Sequence, residues 1–160
     1  MYPGEHDLKR AEQVTSYTLK VIFEAMAEQR VDLKGIILKS SMILAGRENP
    51  NQTPPKEVAE TTVRAFKRFV PAEVGGIVFL SGGQTPEQAT ANLDAIAELE
   101  KAEGDLPWGF AFSFSRGLEQ PAQKVWLGKD ENVEAAQAAL LNRLKLNSLA
   151  DAGEYTEDME

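Results

Sequence analysis

The sequence contains no cysteine and only one histidine, His6. The absence of cysteine excludes disulfides, zinc–thiolate sites and cysteine nucleophiles. His6 lies in a polar turn ahead of a predicted helix, which gives little support to metal chelation or to a serine–histidine relay. We therefore expect neither a metal nor a cofactor.

Long apolar runs are also missing. A membrane-spanning helix needs about 18 consecutive apolar residues, whereas the longest core-like stretches, such as 77–80, have the length of a strand. Residues 1–7 do not combine a basic segment with an apolar block, so we expect no secretory signal or transit peptide. These features predict a protein without membrane contact and are compatible with a cytoplasmic location.

Basic clusters are few, and the formal net charge is −8. Nucleic-acid binding needs a basic face, but no cluster exceeds Arg64, Lys67 and Arg68, which are expected on the solvated side of a helix. We therefore expect no nucleic-acid partner. Residues 151–160 carry five carboxylates and no Lys or Arg, so this segment is interpreted as an acidic flexible tail after a domain at 1–150.

The hydrophobic pattern predicts alternating helices and strands. Such an order implies parallel strands joined by right-handed helical crossovers, and it permits either part of a (β/α)8 barrel or a small open α/β sheet. In both folds the chemistry lies at the carboxyl ends of the strands. We predict helices over 7–30, 55–70, 86–104 and 132–150, a long loop over 45–55, and strands over 35–42, 75–80 and 108–114.

Lys39 lies near the end of the first predicted strand, which is expected to be buried. A lysine there loses hydration, and this loss lowers its pKa and makes a neutral amine available. Such an amine can attack a carbonyl carbon and form an iminium, an electron sink for cleavage of the adjacent carbon–carbon bond. The alternative is a lysine whose side chain extends from the strand end into solvent.

Two further segments follow the other predicted strands. Ser81, Gly82 and Gly83 offer a hydroxyl and unobstructed backbone N–H groups beside a helix start, which suits a phosphate. The glycines can instead serve only the geometry of the turn. Arg116 can clamp a phosphate with two hydrogen bonds or pair with a carboxylate. In a parallel sheet these groups and Lys39 would meet at one edge.

Several motifs, in the same order along the chain, resemble class I fructose-1,6-bisphosphate aldolase. The most specific are Leu-Ser-Gly-Gly-Gln at 80–84 and the upstream lysine strand at 33–39. The resemblance extends over nearly the whole length, and its other motifs lie at 4–10, 62–66, 70–71, 91–93, 108–116, 147–150 and 153–156. It implies a (β/α)8 barrel, of which this chain covers roughly the last three strands and their helices.

The resemblance implies reversible cleavage of fructose 1,6-bisphosphate to dihydroxyacetone phosphate and glyceraldehyde 3-phosphate, in glycolysis and gluconeogenesis, without a metal. Lys39 would form the Schiff base. Ser81, the Gly82 backbone and Arg116 would bind a phosphate of the substrate, and Ser113 would lie near the acid–base carboxylate.

This sequence departs from the family at three places. Ser40 and Ser41 replace the common Pro-Asn after the lysine, and Ser115 replaces the glycine before the arginine. These changes are compatible with strand-end geometry but can alter substrate preference. The family's carboxyl-terminal tyrosine has no terminal counterpart, and Tyr155 matches an earlier family tyrosine.

The resemblance begins just after the family's fifth barrel strand. The family's catalytic aspartate, its acid–base glutamate and two further active-site lysines therefore lie outside these 160 residues. We expect a carboxyl-terminal part of the barrel with two exposed sheet edges, which does not catalyse unaided. Its expected partners are a sugar phosphate and either further copies of itself or a complementing amino-terminal half.

Two other functions stay open. A catalytically incomplete chain can act as a sugar-phosphate-binding or assembly module. Another Schiff-base aldolase, of the deoxyribose-phosphate or transaldolase type, would act on one-phosphate rather than two-phosphate sugars.

Overall fold

A computed structural model of the protein describes residues 3–104 and 106–160. Helices and strands alternate along most of this chain, as the hydrophobic pattern predicts. The elements are α1 (Leu8–Glu28), β1 (Ile37–Ser41), α2 (Pro55–Phe69), β2 (Gly76–Leu80), α3 (Pro86–Glu103), β3 (Phe110–Phe112), α4 (Arg116–Trp126) and α5 (Val133–Asp151).

Local capping signals fix where two of the helices begin. The Asp7 carboxylate accepts a hydrogen bond from the backbone N–H of Arg10 at 2.7 Å and caps α1. The Thr85 hydroxyl accepts one from the N–H of Gln88 at 3.1 Å, and Pro86 occupies the first position of α3. Because these caps are local in sequence, both helix starts agree with the prediction.

The three strands form one parallel sheet in the order β1-β2-β3. Lys39 pairs in register with Val78, and Val78 pairs with Ala111 on β3. Residues in register on neighbouring parallel strands point to the same side of the sheet. Lys39, Val78 and Ala111 therefore form a row on one face.

The two faces of this sheet have different environments. On one face Ile77 and Phe79 are buried against the helices, at 1% and 0% exposure. On the other face Ile37 is 67% exposed and Lys39 is exposed as well. The prediction of a buried first strand is therefore wrong for this face, since it assumed cover on both sides and the described helices pack on one side alone.

The core lies between the covered face and the helices. The rings of Phe66 and Phe79 stack with centroids 6.0 Å apart, and Phe110 lies 5.5 Å from Phe79. Trp108 is buried and donates its indole N–H to the Pro71 carbonyl at 2.8 Å, which ties the entry to β3 onto the end of α2.

Helix α4 is absent from the sequence-based prediction. The segment carries Gly117 and Pro121, both of which disfavour a helix interior. The helix nevertheless begins at Arg116, where the Ser115 carbonyl accepts hydrogen bonds from the N–H groups of Leu118 and Glu119. Arg116 thus occupies the first turn of a helix, and β3 ends earlier than predicted, at Phe112.

The segment predicted to be a flexible tail packs onto α3 and α5. Tyr155 is buried, and its backbone N–H donates to the Asp94 carboxylate at 3.0 Å. The Tyr155 hydroxyl donates to the Glu160 carboxylate at 3.0 Å, and the same carboxylate forms an ion pair with the buried Arg143. These contacts hold residues 155 and 160 against the body of the protein.

The Tyr155 contacts give a pH-dependent contribution to stability. Burial is the largest cause that raises the pKa of Tyr155, and the hydrogen bond to the Glu160 carboxylate is the second; together they bring the pKa to about 12. In an unfolded chain the pKa of tyrosine is about 10. Folding therefore favours the protonated phenol, and this contribution is complete below about pH 10 and is lost as the pH rises through about 12. We expect the melting temperature to fall more steeply over this range in the wild type than in Tyr155→Phe.

The control for this prediction is Tyr17→Phe, since the Tyr17 side chain is 69% exposed. This variant should keep the wild-type pH profile, measured by thermal unfolding at closely spaced pH values. Identical slopes in the wild type and Tyr155→Phe would contradict the assignment.

Candidate active site

Because the three strands run parallel, their carboxyl ends lie side by side at one end of the sheet, called the carboxyl edge here. Lys39 lies two residues before the end of β1, Ser81 follows β2, and Arg116 follows β3 by four residues. The parallel strand order thus places the amine, the glycine turn and the arginine near the carboxyl ends of neighbouring strands, and their roles at a shared site stay predictions. Parallel α/β folds place ligands at this edge.

The Lys39 amine reaches across β2 to Ser113, which directly follows β3. Its Nζ donates a hydrogen bond to the Ser113 hydroxyl at 3.0 Å, between residues 74 positions apart in the chain. Ser113 is itself held to β2, because its backbone N–H donates to the Phe79 carbonyl at 2.8 Å. The amine thus has a defined position on the open face, above the row that contains Val78.

Lys39 is nevertheless exposed to solvent in this chain. The dehydration predicted for it from the strand pattern is not present, since nothing among the described residues covers the open face of the sheet at this position. The alternative of a side chain that extends into solvent describes its exposure correctly, although the amine keeps a hydrogen-bonding partner.

The turn after β2 is shaped by its glycines. Gly82 has φ of +63° and Gly83 has φ of +95°, a conformation that side chains rarely adopt. A Cβ at Gly82 would also lie 3.1 Å from Leu80 Cδ1. Ser81 is buried, and its carbonyl accepts a hydrogen bond from the Gln84 N–H at 3.0 Å, which closes the turn.

The start of α4 contacts this turn directly. The Gly117 N–H donates to the Ser81 hydroxyl at 3.3 Å, and a Cβ at Gly117 would lie 3.1 Å from the Ser81 Cβ. Helix amino termini carry a partial positive charge. The amino end of α4 therefore meets the turn, and α3 begins just after it, so the local field favours an anion.

Arg116 is exposed at the beginning of α4. Within the described part of the chain it forms no hydrogen bond or ion pair, so the alternative of an ion pair with a nearby carboxylate is not found there. Arg116 immediately precedes Gly117, whose backbone N–H donates to the Ser81 hydroxyl. The first two residues of α4 thus supply both the Arg116 cation and the contact with the 81–83 turn.

Gln84 stabilises the turn through its side-chain contacts. Its side-chain oxygen accepts a hydrogen bond from Asn92 Nδ2 at 2.6 Å, and its Nε2 lies 3.8 Å from Met42 Sδ, beyond the end of β1. Gln84 and Asn92 are buried. The sequence pattern places Gln84 and Gly117 in loops that follow strands but assigns no role to them or to Asn92; all three lie in or next to the family motifs.

Metal ligands are not grouped in the described residues. Across 3–104 and 106–160 no cluster of three or more His, Cys, Asp or Glu side chains is positioned to hold a metal ion. No helix in the same ranges has the length and apolar character that crossing a membrane requires.

Comparison with known proteins gives one consistent result. The sequence model of the glycolytic family "Fructose-bisphosphate aldolase class-I" matches residues 1–160. Among curated relatives, fructose-bisphosphate aldolase 4, cytosolic, of Arabidopsis thaliana is 43% identical over 98% of this chain and 39% of its own length. The cytoplasmic isozyme of Cicer arietinum is 45% identical over 95% of this chain and 41% of its own length.

A solved structure agrees with these matches. Fructose-bisphosphate aldolase from Plasmodium falciparum, crystallised with TRAP and a small-molecule inhibitor, aligns with a TM-score of 0.90 and 40% identity over 98% of this chain and 44% of that chain. The chain spans about two fifths of the length of the curated relatives that it matches. Its three strands and their helices have the fold of one part of the (β/α)8 aldolase barrel, as the resemblance implies.

Proposed function

The chain belongs to the class I fructose-bisphosphate aldolase family, and we propose that it supplies the Schiff-base lysine and a phosphate site for reversible cleavage of fructose 1,6-bisphosphate. The observation that carries the proposal is the position of Lys39. Its amine is held against Ser113 at the edge of the sheet where the Ser81 turn and Arg116 also lie. The names of the relatives, cytosolic and cytoplasmic, support the cytoplasm as the place of this reaction.

In this proposal the neutral Lys39 amine adds to the ketone carbon of the open-chain sugar, and loss of water gives an iminium. The bond between the third and fourth carbons then breaks. Its electron pair moves into the iminium to form an enamine, the hydroxyl on the fourth carbon gives its proton to a base, and the fourth carbon leaves as the aldehyde of glyceraldehyde 3-phosphate. Protonation of the enamine and addition of water release dihydroxyacetone phosphate and restore the amine.

In this proposal a phosphate of the substrate is bound by Ser81, Gly82, Gly83 and Arg116. The turn contributes a hydroxyl and backbone N–H groups, and Arg116 contributes a charged donor that can make two hydrogen bonds. When the phosphate is bound, the ketone is held at a fixed distance from Lys39. The amine and the ketone then react within one complex rather than after a random encounter in solution. The groups that remove and return protons come from the other β/α units of the barrel.

Borohydride reduction tests the proposal. Purified protein incubated with dihydroxyacetone phosphate and then reduced should carry a stable mass increment on Lys39, located by peptide mass spectrometry. Lys34 provides an internal control, because it is an exposed lysine in the short helix Leu33–Gly35 ahead of β1, away from the carboxyl edge of the sheet. Equal labelling of Lys34 and Lys39, or no labelling even when the remaining barrel units are supplied, would reject the proposal.

The exposure of Lys39 favours a second candidate, a module that binds sugar phosphates without chemistry. A solvated lysine is a weaker nucleophile than a dehydrated one because its charged form is stabilised. Binding of dihydroxyacetone phosphate with no reducible adduct, even when the remaining barrel units are supplied, would favour this candidate.

Arg116→Ala should weaken binding of dihydroxyacetone phosphate by about tenfold to about a hundredfold, the usual cost of losing hydrogen bonds to a charged group. Lys124→Ala, in the last turn of the same helix, is the matched control and should change the affinity less than about twofold. Isothermal titration calorimetry measures both. Similar losses in the two variants would indicate general attraction of an anion rather than a phosphate site at Arg116.

A further inference from the structure

A groove lies between α1 and α2 on the outer surface of the protein, with a volume of about 340 Å³. We call it the basic groove, and its charged side chains are those of Lys9, Glu12, Arg64 and Arg68. The opposite side of α2 packs on the covered face of the sheet, where the rings of Phe66 and Phe79 stack. Helix α2 therefore separates the groove from the open face that presents Lys39.

Positive charge is in excess in the basic groove, although the whole chain carries a formal net charge of −8. Three cationic side chains line the groove together with one carboxylate, that of Glu12. The Glu12 Oε1 atom pairs with Arg64, at 2.9 Å from Nη2 and 3.0 Å from Nε. Lys9 and Arg68 form no ion pair with any residue in 3–104 and 106–160. Two positive charges in the groove are therefore uncompensated.

The two guanidinium groups are held by contacts that leave donors for a ligand. Arg64 is fixed by Glu12 and also donates to the Thr61 hydroxyl at 3.3 Å. The guanidinium of Arg68 lies 5.2 Å from the centroid of the Phe69 ring. Such a cation–π contact uses no N–H group as a hydrogen-bond donor to oxygen.

The spacing of the two arginines adds an electrostatic cost. Arg64 and Arg68 are four residues apart on α2, so they are neighbours on the helix surface, where like charges repel. Glu12 compensates the first of them only. An anion bound between the two guanidinium groups would remove this repulsion.

We propose that the basic groove binds the phosphate group of a small phosphate ester. A phosphate monoester carries a charge of about −1.5 to −2 at pH 7, which matches the uncompensated charge of the groove. Its three oxygens can accept charged hydrogen bonds from Arg64, Arg68 and Lys9, which come from two different helices. The Phe69 ring, which also lines the groove, offers an apolar surface to the rest of the ester.

Other anions fit the basic groove less well. A nucleic acid needs an extended basic face, but the neighbouring cation Lys67 faces α3, where it pairs with Glu103 at 2.7 Å. Small-molecule sites usually have volumes of about 300–1,000 Å³, and the groove lies in this range. A carboxylate carries a single charge, so it would leave part of the excess uncompensated.

Titration with phenyl phosphate, followed by two-dimensional NMR of the isotope-labelled chain, tests the proposal. The shifts of the backbone amides report where the probe binds. We expect saturable shifts at 9–16 and 64–69, with a concentration dependence separate from that of any shifts at 81–83 and 116–117. Shifts confined to 81–83 and 116–117, or shifts at 9–16 and 64–69 that do not saturate, would overturn the proposal.

Arg68→Ala should weaken binding of phenyl phosphate in the groove by at least about fivefold, because it removes a charged donor that can make two hydrogen bonds. Arg68 is exposed, so the fold should be unaffected. Lys56→Ala is the matched control: it removes one positive charge from the same helix, and the Lys56 side chain is 86% exposed and outside the groove. The control should stay within about twofold of the wild type. Equal losses in the two variants would indicate general attraction of anions and would also overturn the proposal.

Benzoate separates a phosphate site from a site for any anion. It has the same ring as phenyl phosphate but carries a single charge and two oxygens. We expect it to bind in the groove at least about tenfold more weakly, since it leaves a donor and a positive charge without a partner. Equal affinities for benzoate and phenyl phosphate would contradict the assignment of the groove to a phosphate group.

Discussion

Phe79→Ala should lower the free energy of unfolding by about 3–5 kcal/mol, the usual cost of removing a buried phenylalanine from a core. Phe79 is fully buried on the covered face of the sheet, where its ring stacks on Phe66 and contacts Phe110. The variant leaves a cavity between β2 and α2 that rigid neighbours fill only in part. Single domains have a total stability of about 5–15 kcal/mol, so much of it would be lost.

The matched control lies on the opposite face of the same sheet. Ile37 is also an apolar strand residue, but it is 67% exposed, so Ile37→Ala removes little buried surface and should cost less than about 1 kcal/mol. Urea denaturation followed by circular dichroism measures both variants. Equal losses would show that both faces of the sheet contribute to folding in this chain, contrary to the structure.

Lys39→Met should abolish the adduct that borohydride traps with dihydroxyacetone phosphate. Among the strand residues that the structure describes on this face, Lys39 alone carries an amine, and Ser113, its hydrogen-bonding partner, carries a hydroxyl that forms no iminium. Methionine keeps a similar length, and the position is exposed, so the fold should be unaffected. The expected loss is therefore complete within detection, and it is measured by intact-protein mass spectrometry after reduction.

Lys34→Met is the control for this variant. Lys34 is exposed and lies only five residues earlier, but it precedes β1 rather than facing the carboxyl edge of the sheet. It should retain the wild-type amount of adduct. An adduct that persists in Lys39→Met would transfer the chemistry to another lysine and remove the basis of the proposed mechanism.

Local signals predict much of the fold. Asp7 and Thr85 mark the starts of α1 and α3, and the apolar run at 76–80 becomes β2. Helix α4 could not be predicted in this way, because Gly117 and Pro121 oppose it locally and its start is stabilised by Ser115 and by contact with Ser81. Tertiary contacts override propensity in this segment.

The sequence predicts that the ends of the three strands lie side by side, but it does not predict the contacts between the side chains there. Alternation of helices and strands is sufficient to place Lys39, Ser81 and Arg116 at one edge. The bond from Lys39 to Ser113 joins residues that no local pattern connects. Of the two alternatives for Lys39, the dehydrated amine is not found and the side chain exposed to solvent is; an apolar run indicates what a strand is suited to bury and does not indicate what covers it.

The proposed chemistry depends on one sheet whose covered face holds the fold together and whose open face presents Lys39. A crystal structure of the protein after borohydride reduction with dihydroxyacetone phosphate tests it most directly. We predict continuous density from Lys39 Nζ to the former ketone carbon, with the phosphate hydrogen-bonded by the 81–83 turn and Arg116. An adduct on another lysine, or a phosphate bound away from that turn, would contradict the account.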